Sequence, residues 1–294
     1  MKKIFSFQNI LLIFVLGFIF YQLYISLLDG KAYLEEGQSA IISSEYEKAI
    51  DFFTQAIEEI DRSNQAMFFS TGMTLDKTKN NVKALQGIGK ALIKQKEYEK
   101  ANMVLTEVLN INAFYPESRM DRAYTYTKLE KYEEAIEDYS FILRSAPNAV
   151  HLYNSRGHLY LRTRDYENAV NDFEKIISLL SEKKLYYNHL EILDRLSILF
   201  STYPEDLVRN GERALELADL IFNSMKQIQL TSSAQAHFHD TKALAHAECG
   251  QYDLAIDLIQ KALKFLEESG STSPIEKKLN LHLESFKKGT PIRN

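Results

Sequence analysis

The segments KYEEAIEDYSFIL (residues 131–143) and DYENAVNDFEKII (residues 165–177) are two copies of one pattern. Each copy starts with a charged residue and a tyrosine, has an alanine three residues after that tyrosine, and continues with apolar residues at helical spacing. Three further segments share the pattern: EYEKAIDFFTQAI (45–57), EYEKANMVLTEVL (97–109) and QYDLAIDLIQKAL (251–263). Self-similarity at this many places predicts a protein built from repeats.

The copies share one register. If the tyrosine is position 17, the copies begin at residues 30, 82, 116, 150 and 236, and the starts at 82, 116 and 150 are 34 residues apart. Position 8 is always small, as Gly37, Gly89, Ala123, Gly157 and Ala243, and so is position 20, as Ala49, Ala101, Ala135, Ala169 and Ala255. Position 24 is large, as Phe53, Leu105, Tyr139, Phe173 and Ile259. Small residues facing large ones predict two closely packed helices in each copy.

This period and these positions resemble the tetratricopeptide-repeat (TPR) family. The resemblance implies an all-α fold, a right-handed superhelix of five to six helix pairs, with a concave groove that binds protein or peptide partners. It therefore predicts a scaffold or adaptor for protein–protein interaction and not an enzyme. Pro147 falls at position 32, where the family often breaks the helix, but the other copies lack a proline there.

The register also predicts the organisation of the chain. The predicted segments are an N-terminal anchor (1–29), four repeats within 30–183 (30–63, 82–115, 116–149 and 150–183, with an insertion at about 61–81), a degenerate helix pair (184–235), and a last repeat with a C-terminal capping helix (236–294). The insertion contains Met67-Phe68-Phe69. These residues either extend the second helix and pack on the first repeat, or form an exposed apolar lip.

The N-terminal segment ILLIFVLGFIFYQLYISLL (residues 10–28) contains no charged residue. As a helix it would span about 30 Å, the thickness of a bilayer core. Lys2 and Lys3 precede it, and acidic residues follow, so the positive-inside tendency places the repeats outside the cytoplasm. We predict an uncleaved single-pass anchor in a bacterial inner membrane, with the repeats in the periplasm or outside. A signal peptide cleaved near Gly30-Lys31-Ala32 and a cytosol-facing organelle receptor are the alternatives.

Composition narrows the classes of partner. The formal net charge is −5, which disfavours nucleic acid as a partner. The single cysteine, Cys249, cannot close an intrachain disulfide. Neither fact fixes an oligomeric state.

Three histidines of one predicted helix, His237, His239 and His246, invite a metal or catalytic site. Residues two apart on a helix point to different sides, and seven residues span about 10.5 Å along the axis, too far for one ion. We therefore predict no metal, no cofactor and no catalytic residue. The remaining alternative in this direction is a non-catalytic subunit of an envelope enzyme complex.

The TPR resemblance also implies which residues line the groove. Position 9 of the first helices carries Lys90, Tyr124 and His158, and position 5 carries Gln86, Met120 and Asn154. The cationic and amide residues by which some TPR proteins clamp a terminal carboxylate are absent from the matching positions. We predict that the six residues bind an extended or helical peptide with some acidic character, although a solvated face would hold similar residues.

Overall fold

A computed structural model describes residues 17, 18, 21, 30–71, 78–181, 187–225, 230–268 and 274–293. Within these ranges the chain is helical and contains no strand, which confirms the all-α prediction for this part of the protein. The helices are α1 (30–42), α2 (Tyr46–Thr71), α3 (Thr78–Lys94), α4 (Tyr98–Ile111), α5 (Pro116–Lys128), α6 (Tyr132–Ser145), α7 (Val150–Arg162), α8 (Tyr166–Ser181), α9 (Tyr187–Thr202), α10 (Gly211–Met225), α11 (Ser232–Glu248), α12 (Tyr252–Glu268) and α13 (Pro274–Lys287).

The turn between the two helices of a copy has the same geometry in all five copies. Position 15 is left-handed each time, in Ser44, Lys96, Glu130, Arg164 and Gly250, with φ between 57° and 73°. The N–H of the next residue donates to a carbonyl five residues earlier, as from Lys131 to Tyr126 (2.9 Å) and from Gln251 to His246 (2.9 Å). The left-handed residue and this hydrogen bond end the first helix and fix where the second helix begins. Only the last copy uses glycine, the residue that adopts this conformation without strain.

The described contacts divide the chain into two compact units, Met1–Pro147 and Asn148–Asn294. In the first unit, the buried ring of Phe53 on α2 packs between two glycines. A Cβ atom at Gly37 would lie 2.7 Å from this ring, and one at Gly87 would lie 2.4 Å from it. Real Cβ atoms do not approach so closely, so any larger residue at either position would displace Phe53.

The second unit is built on the same principle. Phe173 on α8 is fully buried, and a Cβ atom at Gly157 on α7 would lie 2.6 Å from its ring. Phe173 also meets Phe200 of α9 edge to face, with ring centroids 6.5 Å apart. Further along, α11 and α12 pack through buried alanines, and α13 buries Leu279 and Phe286 against them. α13 thus covers apolar surface that the last repeat would otherwise expose.

Two predicted segments lie partly outside the residues that the structure describes. α2 continues to Thr71, so the first half of the expected insertion is helical, while the side chains of Met67-Phe68-Phe69 lie outside the description. The predicted membrane segment 10–28 also lies outside it, except for residues 17, 18 and 21. Among the described helices, none combines the length and apolarity needed to cross a membrane.

Candidate functional site

Four of the six predicted groove residues lie in the first unit, on the neighbouring helices α3 and α5. Gln86 Nε2 on α3 donates a hydrogen bond to Ser118 Oγ on α5, at 2.7 Å. Lys90 Nζ, one turn further along α3, lies 3.7 Å from Glu117 Oε2. These two contacts align α3 with α5 and bring their position-5 and position-9 residues onto one surface.

The α5 side of this surface is apolar and exposed. Met120 and Tyr124, one turn apart, are 37% and 41% exposed. The Tyr124 ring meets Tyr98 edge to face, with centroids 6.3 Å apart, and Lys128 Nζ lies 5.2 Å above it. A tyrosine held between a second ring and a cation has few conformations to lose when a partner covers it.

Charges on this surface are unevenly paired. Burial raises the pKa of Asp121, the nearby Lys90 opposes that rise, and Glu117 adds to it. Lys90 has a distant carboxylate partner in Glu117, at the exposed edge of the helix pair. Such a solvent-exposed pair is worth little energetically, so Lys90 can exchange Glu117 for an anionic partner at low cost.

The second unit carries the other two predicted residues, Asn154 and His158, on α7. Asn154 is half-buried and the His158 residue is exposed, with its ring 5.5 Å from that of Phe173. Burial of the imidazole and the charges of Arg195 and Arg162 lower the pKa of His158. The imidazole is therefore neutral at pH 7 and offers one donor and one acceptor. Partner binding by the six residues stays a prediction.

Sequence reasoning missed a buried ion pair that recurs in two copies. Arg122 on α5 donates two hydrogen bonds to Asp138 on α6, from Nε at 2.8 Å and from Nη2 at 2.8 Å. Arg156 on α7 does the same to Asp172 on α8, at 2.8 Å and 2.6 Å. Both pairs join positions 7 and 23 of their copies. The signal was an arginine and an aspartate 16 residues apart, recurring 34 residues later.

Asp138 accepts a further hydrogen bond from Arg119 Nη1, at 2.7 Å. The guanidinium of Arg119 stacks on Phe141, with 3.8 Å from Cζ to the ring centroid. Hydrogen bonding to Asp138 raises the pKa of Arg122, and burial opposes this. Two guanidinium groups thus share one carboxylate, and Arg119 Nε is buried without a hydrogen-bond partner among the described residues. The shared acid links α5 to α6.

The three histidines of α11 contact three different partners. His237 Nε2 lies 2.7 Å from Asp194 Oδ2 of α9, while His246 Nδ1 lies 2.6 Å from Gln251 Oε1. The ring of His239 packs between Phe222 and Phe265 at centroid distances of 4.9 and 5.2 Å. They do not converge on one point. In the part of the chain that the structure describes, no three histidine, cysteine, aspartate or glutamate residues are arranged to hold a metal ion.

α11 is also tied to α13 by a buried acid. His282 Nδ1 lies 2.6 Å from Asp240 Oδ1, and Lys278 Nζ lies 3.1 Å from Asp240 Oδ2. Burial alone would raise the pKa of Asp240, but the hydrogen bond from His282 and the nearby positive charge of Lys278 outweigh it and lower that pKa. Asp240 thus ties α11 to α13, and the contact of His237 with Asp194 ties α11 to α9.

Comparisons with known proteins agree with this description. A tetratricopeptide-repeat family model matches residues 120–179. No curated protein matches the sequence. Among solved structures, MamA (residues 41 to the end) from Desulfovibrio magneticus RS-1 aligns with 69% of this chain and 98% of its own, at 16% identity and a TM-score of 0.53.

Two other solved structures show the same fold. BtubC (BKLC) from P. vanneervenii aligns with 78% of this chain and 94% of its own, at 13% identity and a TM-score of 0.54. YrrB, described as a TPR protein with an unusual peptide-binding site, aligns with 79% and 97%, at 15% identity and a TM-score of 0.53. At these identities the likeness establishes the fold alone, while the family match rests on sequence. Residues 120–179 thus match the tetratricopeptide-repeat family, and the chain has the fold of tetratricopeptide-repeat proteins.

Proposed function

We propose that this protein is a membrane-anchored scaffold that binds protein or peptide partners through the inner faces of its repeats. The observation that carries the proposal is the exposed pair Met120 and Tyr124 beside Gln86 and Lys90. Large apolar side chains that remain exposed next to a cation and an amide form the kind of surface on which protein partners dock. Asn154 and His158 supply a smaller surface of the same kind on the second unit.

The right-handed superhelix and the concave groove belong to this proposal and rest on the TPR resemblance. Repeat proteins of this kind present long, rigid surfaces, so they are better suited to recruiting partners than to catalysing reactions. The peptide-binding site named for YrrB is consistent with such a role for a protein of this fold. No catalytic group is part of the proposal.

The membrane part of the proposal rests on the sequence of residues 10–28. Nineteen uncharged residues are enough to cross a bilayer, and Lys2 and Lys3 favour a cytoplasmic N-terminus. We place the protein in a bacterial inner membrane with the repeats outside the cytoplasm. The anchor would then hold the binding surfaces close to the membrane.

The test of partner binding is a triple variant in which alanine replaces Lys90, Tyr124 and His158. Partners are captured by crosslinking in the native cell and identified by mass spectrometry, with wild-type and variant protein compared. We expect capture to fall at least about tenfold, since anchor residues of a protein interface often cost more than 1.4 kcal/mol each when truncated. Helix content and thermal midpoint should stay unchanged, because all three residues are at the surface.

A matched control replaces Lys264, Leu254 and Leu281 with alanine, which changes the same number of exposed residues on other helices. The control should capture partners as wild type does. Undiminished capture by a folded groove variant would remove this surface from the proposal.

A further inference from the structure

Three consecutive first helices end on an exposed basic residue. α3 ends at Lys94, α5 at Lys128 and α7 at Arg162. All three occupy position 13 of their copies, so they are 34 residues apart. Each also lies one helical turn beyond a predicted groove residue at position 9, and residues four apart share one face of a helix.

A basic residue at the end of a helix has an ordinary explanation, since it complements the negative end of the helix dipole. That explanation applies equally to the second helices of the copies. The last turns of α2, α4, α8 and α12 nevertheless contain no basic residue, and only α6 has one, Arg144. The helix dipole therefore does not account for basic residues at this one position of the first helices.

In the first unit, each lysine lies one turn beyond a predicted groove residue of its own helix. Lys128 Nζ lies 5.2 Å above the ring of Tyr124. Lys94 follows Lys90 by one turn on α3, the helix that Gln86 and Ser118 align with α5. Among the described residues, neither Lys94 nor Lys128 has a carboxylate within ion-pair distance, and the acids Glu117 and Asp121 lie towards Lys90.

The second unit shows the same arrangement with arginines. Arg162 on α7 and Arg195 on α9 are both exposed, and both act electrostatically on His158. Neither arginine forms an ion pair or hydrogen bond with another described residue. Two unpaired guanidinium groups beside an imidazole leave local positive charge without a counterion, in a protein whose net charge is −5.

We propose that these basic residues bind the carboxylate groups of an acidic protein segment, with Lys94 and Lys128 acting in the first unit and Arg162 and Arg195 in the second. The inference rests on the proposed function and names the chemistry of its partner. Charge complementarity carries it, because cations left unpaired beside exposed Tyr124 and Met120 fit a segment that alternates acidic and apolar residues. The acidic remainder of the protein would repel such a segment and so confine it to these surfaces.

The test uses two fluorescein-labelled peptides and the full-length protein in detergent. One peptide is short and rich in glutamate, tyrosine and leucine, and its twin has glutamine in place of every glutamate. Fluorescence anisotropy gives the Kd of each. We expect the glutamate peptide to bind roughly tenfold more tightly than its twin. Equal binding of the twins, or no binding of the glutamate peptide, would overturn the inference.

The variant Lys94→Gln with Lys128→Gln should lose roughly three- to tenfold of affinity for the glutamate peptide and none for the glutamine twin. The control variant Arg144→Gln with Lys287→Gln removes the same charge from the last turns of two other helices. It should keep the full preference for glutamate. A four-residue variant that adds Arg162→Gln and Arg195→Gln should also lose the contribution of the second unit. A preference for glutamate that survives in this four-residue variant, or that the four-residue variant and the control lose equally, would contradict the carboxylate sites.

Variants are compared at fixed ionic strength because salt also screens the repulsion between an acidic peptide and an acidic protein.

The experiments distinguish failure of the carboxylate sites from failure of the proposed function. Cellular capture that is lost in the Lys90, Tyr124 and His158 alanine variant but intact in the four-residue glutamine variant would support the scaffold and overturn the carboxylate sites. Loss of capture in the second variant, with the twin preference lost as well, would support these sites.

Discussion

Individual side chains in this protein are constrained most where a large residue faces a small one. Phe173 fills the space left by Gly157, and Ala169 on the same helix is fully buried. The same arrangement joins Phe53 to Gly37 and Gly87 in the first unit. Because two helices meet at each such contact, a change of volume there affects both.

We expect Phe173→Ala to lower the free energy of unfolding by about 3–5 kcal/mol through the cavity it leaves, and Ala169→Leu by about 1–3 kcal/mol through overpacking. Chemical denaturation followed by circular dichroism measures both. Met103→Ala, at a 74% exposed position, is the control and should change stability by less than about 0.5 kcal/mol. Unchanged midpoints for both core variants would show that these residues do not form the contact between the helices.

The buried carboxylate of Asp138 is the second kind of constrained residue. It accepts hydrogen bonds from two guanidinium groups, and its removal would leave Arg119 Nη1 and Arg122 Nε without an acceptor. Breaking such a pair from one side costs about 3–5 kcal/mol, so Asp138→Ala should unfold at markedly lower denaturant than wild type. The exposed pair of Asp257 and Lys261 is the matched control, and Asp257→Ala should cost about 0–1 kcal/mol. Similar losses for the two variants would mean that Asp138 is not a buried link.

At the scale of helices, α11 is held by hydrogen-bonding side chains on both sides, by His237 to Asp194 of α9 and by Asp240 to His282 of α13. Thr241 Oγ1 of α11 adds a hydrogen bond to Asp194 Oδ1, at 2.6 Å. Since His237 is one of these contacts, the attachment of α11 to α9 depends on pH.

The hydrogen bond to Asp194 raises the pKa of His237 above the ordinary value of 6.5, although burial opposes it. The stabilisation is then fully present below about pH 6.5 and declines as pH rises through the raised pKa. We expect the thermal midpoint of wild type to exceed that of His237→Gln at pH 6 by more than at pH 9. His158 and His239, whose pKa values are lowered, act in the opposite direction, so the difference between the two proteins is the quantity to measure.

Asp194→Asn provides the partner test, because it should remove the same pH-dependent difference. If the difference in thermal midpoint between wild type and His237→Gln is the same at pH 6 and pH 9, the contact of His237 with Asp194 does not depend on pH as argued.

Much of the helical arrangement could be predicted from the sequence because close packing imposes small residues at fixed spacing. Gly157 and Ala169, 12 residues apart, are a local signal that survives when the rest of a copy changes. The tie between Asp194 and His237 gave no such signal, since the two residues are 43 positions apart and α9 departs from the repeat pattern. Gly87 also needed the structure, because its contact is with Phe53 of the preceding copy.

The candidate surface was predictable only in part. Helical spacing puts Lys90 and Lys94, or Tyr124 and Lys128, on one face. The alignment of α3 with α5 through Gln86 and Ser118 depends on the packing of two copies and could not be read from either alone. The pairing of Arg122 with Asp138 was missed because it lies outside the small and large positions that define the register.

For the whole molecule, the decisive question is where the repeats sit relative to a membrane. If residues 10–28 span the bilayer, the full-length protein should remain with membranes through an alkaline wash and keep its N-terminal peptide. A protease added to spheroplasts should then digest the repeats. The version lacking residues 1–29 is the control and should be released by the wash. Recovery of a soluble form that starts near Tyr33 would contradict the anchor, and protection from protease would reverse the orientation.

Cys249 allows the opening of one turn to be followed in the intact protein by chemical labelling. It is the single cysteine of the chain and half-buried, and a Cβ atom at Gly211 would lie 2.7 Å from its sulfur. Burial and the neighbouring Glu212 and Glu248 raise the pKa of its thiol, so little thiolate exists at neutral pH to attack an alkylating reagent. Pulsed maleimide labelling followed by mass spectrometry therefore times the opening of the turn between α11 and α12 in the unaltered protein. A partner bound to the neighbouring helices would slow the labelling of Cys249, and the measurement needs no fluorophore and no engineered residue.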